Sequence, residues 1–222
     1  MQIDWFPLWL SLRVAVFSTL IALLAGLWIA YLLANRRFRG KDILDALVTL
    51  PLVLPPTVLG YYLLVALGRQ SHLGRIYEWI TGSPLVFTWQ AAVVAALFPA
   101  LPLVIKPARA AFEGLDRSYG RAARSLGASE WRVFWRVTLP LAWRSVLAAS
   151  VLAFARCLGE FGATIMIAGN IPHKTQTLSV AIYTAVESNR GALARTLVIV
   201  ISVIALIIVW CANRFGSRQA TG

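Results

Sequence analysis

Apolar residues in this chain gather into long runs rather than alternating with polar ones. Five such runs extend from Leu8 to Ala34, Ile43 to Leu67, Leu85 to Ile105, Leu139 to Ala168 and Leu193 to Ala212, with short charged segments between them. Crossing about 30 Å of hydrocarbon takes roughly 20 helical residues, so each run predicts one transmembrane helix. The pattern also predicts breaks. Pro51, Pro55 and Pro56 interrupt the hydrogen-bond ladder of the second run, and Pro99 and Pro102 act in the same way on the third. Broken backbone at membrane depth is tolerated where protein or a cavity surrounds it, so the second run, with Pro55 and Pro56, either lies beside a translocation path or at a subunit interface, or is simply a kinked structural helix.

Composition agrees with the pattern. At 59% apolar and 14% charged residues, with a mean hydropathy of +0.72, the chain is too apolar for a soluble domain. The expectation is an all-α integral membrane protein forming a single transmembrane domain over residues 1–222, with its core over 11–213. Asp4 precedes the first run and basic residues follow it, which is the reverse of a secretory signal peptide, so the first helix is read as uncleaved.

Charge then sets an expected orientation. Most of the 21 basic residues fall in three segments: Arg36, Arg37, Arg39 and Lys41; Lys106, Arg109, Arg117, Arg121, Arg124, Arg132, Arg136 and Arg144; and Arg214 with Arg218. By the positive-inside rule these face the cytoplasm, leaving the N-terminus outside and the C-terminus inside. The net charge of +12 is thereby explained by helix-flanking loops and lipid headgroups, and nucleic acid is not an expected partner.

Chemistry of the catalytic kind is absent. His72 and His173 have no neighbouring His or Cys, so no metal site is expected; Cys157 and Cys211 lie in apolar runs as small buried hydrophobes. No Gly-x-x-x-x-Gly-Lys-Ser/Thr occurs, so any ATP chemistry must come from another chain. Glu160 is the one carboxylate deep in an apolar run, too few for an ion-coupled secondary transporter, and no paired nucleophile and base suggests an intramembrane enzyme. Glu160 stands one helical turn after Arg156 and just before Thr164. The two charges are expected to pair, and because Arg before Glu is the weaker helical order, one of them should have a second partner. They either line an anion pathway or lock helix packing.

The polar interruption between Arg109 and Arg144 has its own organisation. Asp116 is placed to cap a helix that Gly127 ends, and Ser129 with Glu130 starts a second short helix carrying Trp131, Phe134 and Trp135. That second helix should stop near Leu139, because the residue before Pro140 is pushed out of the helical region, after which Pro140 opens the fourth membrane helix. Two short helices meeting at a glycine make either a knob for a groove on another protein or an amphipathic hairpin lying on lipid.

These residues resemble the EAA loop of ABC importer permeases, in which Glu-Ala-Ala, three residues, Gly, nine residues, Ile, one residue and Leu-Pro recur. Here the positions read Arg121-Ala122-Ala123, Gly127, Val137 and Leu139-Pro140, with every spacing kept; Arg121 stands for the Glu and Val137 for the Ile. The resemblance implies a type I importer permease fold and a coupling segment over about 109–140. It also implies an ATPase contact through Arg121, Ala122, Ala123, Gly127, Ala128, Ser129, Leu139 and Pro140. ATP and magnesium would sit in a separate cytoplasmic subunit, this chain holding no cofactor and being no enzyme itself. The segments Leu50-Pro-Leu-Val-Leu-Pro-Pro-Thr57, Ala155 to Ile165, Gly169-Asn-Ile-Pro172 and Thr175 to Tyr183 are similar to the molybdate and sulfate branch, the molybdate permeases first. That implies inward movement of molybdate, with tungstate as a co-substrate and sulfate or thiosulfate as the alternative cargo. It further implies a homodimer, an inner-membrane location, and an extracytoplasmic oxyanion-binding protein docking on residues 69–84 and 171–193.

Overall fold

The computed structural model describes residues 4–36 and 38–216, helical throughout except for turns and connections. Arg37 and Arg218, two of the residues that orient the chain, lie outside them.

Three long helices form the packed centre: α1 (Phe6–Asn35), α5 (Trp89–Glu113) and α8 (Leu139–Leu158). Between the first two lie α2 (Lys41–Val53), α3 (Pro56–Leu67) and the short α4 (His72–Thr81). Two further short helices, α6 (Arg117–Ser125) and α7 (Glu130–Val133), precede α8, and α9 (Gly162–Ile167), α10 (Leu178–Glu187) and α11 (Gly191–Gly216) follow it.

Small residues set the spacing of the centre. With little hydrophobic drive between helices in lipid, close backbone approach has to supply the packing. On α5, Ala91, Ala92, Ala95, Ala96 and Ala100 are fully buried, as are Ala15 and Ala22 on α1. A methyl group on Gly26 of α1 would lie 3.1 Å from Val104 and 3.2 Å from Ile105. Ser18 Oγ donates to the Val93 carbonyl at 2.9 Å, so its own buried hydroxyl is satisfied.

The pairing also fixes direction. Phe17 meets Trp89 and Tyr31 meets Phe112, so α1 and α5 run parallel; Tyr31 meets Phe134 while Cys157 Sγ approaches the Ala96 carbonyl, so α8 runs against both. Parallel neighbours require the chain to cross back between them, and only α2 with α3 can make that crossing. The pair is bent by 117° at Leu54–Pro55. Among the described residues four helices are long and apolar enough to span alone, and the bent pair is apolar enough to count as a fifth span. α11 starts beside α10, where Leu197 joins Leu178 and Ala181 in a cluster that Leu193 and, from α1, Leu8 also pack against, and α11 packs along α8 as well.

The structure corrects the boundaries of two runs and the effect of several prolines. α5 continues as one helix through Pro99, Pro102 and Pro107, because Pro99 and Pro102 are buried in the α1–α5–α8 packing, which holds the helix where the ladder is interrupted. The fourth span starts earlier than Leu139 and ends earlier than Ala168. α7, a π-helical segment Phe134–Thr138 and α8 form one continuous helix of 29 residues from Glu130 to Leu158. The second short helix therefore does not stop at Leu139, which keeps helical dihedrals before Pro140. The wide π turn, in which Leu139 N–H reaches back to the Phe134 carbonyl, makes room for the proline ring. At the other end Gly159 terminates α8, and α9 begins three residues later.

α9 is wedged against α3. A Cβ on Gly60 would lie 2.7 Å from Met166 Cβ and 2.9 Å from the Ala163 backbone; one on Gly162 would lie 2.7 Å from Pro56 Cβ. Backbone and a proline ring cannot yield as a flexible side chain would. Gly60→Ala is therefore expected to cost about 1–3 kcal/mol, the usual penalty for overpacking, and to lower the Tm of the purified protein, whereas Gly191→Ala, which meets open space, leaves it unchanged; fluorescence-detected thermal unfolding in detergent distinguishes the two.

Candidate functional site

The hairpin of α6 and α7 is built as its residues predict. Asp116 accepts the Ser118 backbone N–H at 2.8 Å, capping α6, and that donated hydrogen bond holds its carboxyl below the usual carboxylate range. The cap is therefore complete above the ordinary carboxylate pKa and is lost as pH falls through the lowered one. Gly127 has φ +80°, which favours glycine. Its N–H donates to the Arg124 carbonyl at 2.9 Å and the Ala128 N–H donates to Ala123 at 3.0 Å, the pair of bonds that closes a Schellman motif. Ser129 Oγ then accepts the Arg132 N–H at 3.4 Å and opens α7. The glycine turn is needed for its dihedrals alone, since a Cβ on Gly127 would meet nothing within 4 Å.

What ties the hairpin to the bundle was not evident from spacing. Glu130 accepts from Arg124 Nε at 2.8 Å across the glycine turn, and its second oxygen accepts the Tyr31 hydroxyl at 2.8 Å. One carboxylate thus joins α6, α7 and α1. Around it Trp28, Tyr31, Phe112, Trp131, Phe134 and Trp135 stack largely edge to face, with centroids 5.1–6.3 Å apart. Nothing in the sequence brings Tyr31 to Glu130; the Arg124–Glu130 spacing across a glycine was the one available signal. Asp45 makes a second link, accepting from Lys106 at 2.7 Å and Arg109 at 3.2 Å, so α2 is tied to the same end of α5.

The residues expected to contact an ATPase lie together here. Arg121, Ala122, Gly127 and Ser129 are exposed, Ala123 and Ala128 half-buried, and Leu126 between them is 89% exposed. Leu139 and Pro140 stand apart, inside the continuous helix. Arg121 also lines a cavity of about 840 Å³ with Arg36, Lys41, Phe112, Tyr119 and Arg124. Arg36 and Lys41 of the first basic segment thus meet Arg121 and Arg124 of the second at this end.

A second cluster gathers residues expected near a path. Arg156 donates to Glu160 at 2.6 Å, and the other Glu160 oxygen accepts the Ala163 N–H at 2.9 Å, which is the second partner that the charge order called for. Glu160 is only 3% exposed, and Thr164 is buried beside α3, whereas Arg156 is half-buried. Pro55 and Pro56 are exposed at the bend, Pro56 resting on Gly162. The geometry joins α8, α9 and α3 through Glu160 and Gly162; among the described residues no group of His, Cys, Asp or Glu is placed to hold a metal ion.

The family profile described as binding-protein-dependent transport system inner membrane component matches residues 22–220. The chain is 44% identical over 201 residues to the molybdenum transport system permease protein ModB of Escherichia coli strain K12, covering 90% of this chain and 87% of that one. It is 34% identical over 206 residues to a probable sulfate transport system permease protein cysT of Chlorella vulgaris, covering 93% and 77%. Among solved structures it resembles a bacterial ABC transporter involved in alginate import, with a TM-score of 0.74 at 17% identity over 97% of this chain and 79% of that one. It also resembles the inward-facing MetNI methionine ABC transporter, with a TM-score of 0.71 at 17% identity over 95% and 93%.

Glu130→Gln keeps the shape of the side chain and removes the charge that holds Arg124. In the purified protein trypsin is expected to cut after Arg124 several-fold faster, since local opening governs such nicking; unchanged protection would mean that this carboxylate does not fasten the hairpin.

Proposed function

As the chain belongs to the family of binding-protein-dependent transport system inner membrane components, we propose that it is the permease subunit of an ATP-driven importer for molybdate, with tungstate as a co-substrate. It is a multi-pass inner-membrane transport subunit and not an enzyme. The observation that carries the cargo assignment is the 44% identity to a molybdenum permease over 90% of the chain, against 34% to a sulfate permease; sulfate or thiosulfate is therefore the second reading. We read the whole chain as one transmembrane domain with its basic end in the cytoplasm, the N-terminus outside and the C-terminus inside.

In this reading two copies of the chain form a pore on a two-fold axis. Two cytoplasmic subunits hold ATP and magnesium, and an extracytoplasmic oxyanion-binding protein docks over residues 69–84 and 171–193. Ala122, Ala123, Gly127, Ala128 and Ser129 form the coupling knob. Transport requires that movement of the ATP-binding subunits reach the pore without being absorbed on the way, which calls for rigid elements. The knob meets that need: Glu130 and the aromatic cluster fasten it to α1 and α5, and it leads directly into the 29-residue helix from Glu130 to Leu158. At the far end of that helix Glu160 holds α9, and α9 is seated on α3 at the proline bend. Pro55, Pro56, Arg156, Glu160 and Thr164 would thus move together. Arg156 is the charged group of this set with exposure to meet a passing anion, and Glu160 sets its position.

Gly127→Val is expected to uncouple the importer: the chain inserts, but uptake into proteoliposomes containing all subunits falls at least tenfold, because valine does not tolerate φ +80°. Uptake and ATPase coupling at wild-type levels would sink the coupling assignment. For cargo, cells carrying the full importer should lose radiolabelled molybdate uptake when tungstate is added and keep it with equal sulfate; preferential sulfate uptake would move the assignment to the second reading.

A further inference from the structure

The carboxylates of the hairpin region are all engaged within the chain. Glu113 accepts from Arg109 at 2.8 Å, Asp116 caps α6, and Glu130 is shared by Arg124 and Tyr31. The cations are not all engaged. Arg121 on the first arm, with Arg132 and Arg136 one turn apart on the second, are exposed, and among the described residues none has a carboxylate within ion-pair distance. On the first arm Tyr119, Ala122 and Leu126 follow the spacing of a single helix face, and all three are exposed. The hairpin therefore exposes an apolar tip together with Arg132 and Arg136, which lack a carboxylate partner, and Arg121, which feels Asp116 only at longer range.

Resting on the permease reading above, we infer that the ATP-binding subunit receives this knob in an acidic cleft, with an apolar pocket for Leu126 and carboxylates facing Arg121, Arg132 and Arg136. The internal pairing of every nearby acid is what decides the sign: a basic or neutral cleft would leave three guanidinium groups desolvated without partners on docking, which is costly. Complementary charge also speeds encounter and fixes register, while the apolar tip supplies the buried contact. Arg121 is the one of the three on the same helix as Ala122 and Leu126, so a carboxylate opposite it sets how the knob is seated.

The test uses the full-length chain in nanodiscs of zwitterionic lipid alone, titrated with its own ATP-binding subunit. Affinity should fall steeply as salt rises. Arg121→Glu and the double reversal Arg132→Glu with Arg136→Glu should each weaken binding roughly 10- to 100-fold, and Leu126→Ser should weaken it without altering the salt dependence. Replacing one cleft carboxylate of the ATP-binding subunit by lysine should restore binding of Arg121→Glu. Affinity that ignores both salt and charge reversal overturns the inference, as does charge dependence found only when anionic lipid is present, which would assign these arginines to the membrane surface. If the charge variants bind as wild type while Gly127→Val still uncouples transport, the acidic cleft fails and the permease reading stands. If Gly127→Val is also without effect, both fail.

Discussion

Inside hydrocarbon a backbone N–H or C=O that loses its helical partner finds no water to replace it, and the irregular places in this chain are shaped by that shortage. Where α8 ends at Gly159, the carboxylate of Glu160 accepts the Ala163 N–H, so the start of α9 is satisfied by a side chain that is itself neutralised by Arg156. Where Pro140 would break a helix, the backbone widens into a π turn and keeps bonding. A buried charge pair is usually a poor source of stability. Here it has a definite task, since it closes a gap between two helices that no solvent can close.

The same economy governs the far end of the bundle. The hairpin there is fastened by one carboxylate bonded in two directions and by a cluster of aromatic rings. Exposed ion pairs alone contribute little. The Tyr31 hydroxyl and the rings around it make Glu130 a joint between the hairpin and the bundle. Stiffness at the knob, a continuous helix behind it and a glycine-packed seat at its far end form one chain of rigid contacts.

That arrangement separates two roles of charge. Glu130, Glu113 and Asp116 are engaged in bonds within the chain, whereas Arg121, Arg132 and Arg136 are exposed and, among the described residues, have no carboxylate within ion-pair distance. Internal pairing thus determines which charges are left for a partner. The polarity of the exposed surface follows from which side chains this chain has already paired.

Much was legible in the sequence, for reasons that lie in local chemistry. Apolar run length reports a membrane crossing because the bilayer has a fixed thickness, and among the described residues the five runs correspond to four single helices and a bent pair. Gly127, Asp116 and Ser129 could be placed because a left-handed residue and side-chain caps act over only a few positions. The Arg156–Glu160 pair followed from one turn of helix. What the sequence left undecided depends on neighbours far along the chain. Whether Pro99, Pro102 and Pro140 break a helix is decided by the packing and the π turn that receive them, and the meeting of Tyr31 with Glu130, or of Gly60 with Ala163, joins residues about a hundred positions apart. Periodicity describes which residues prefer an apolar setting; only the folded bundle determines which of them meet, because many pairings would bury the same apolar area.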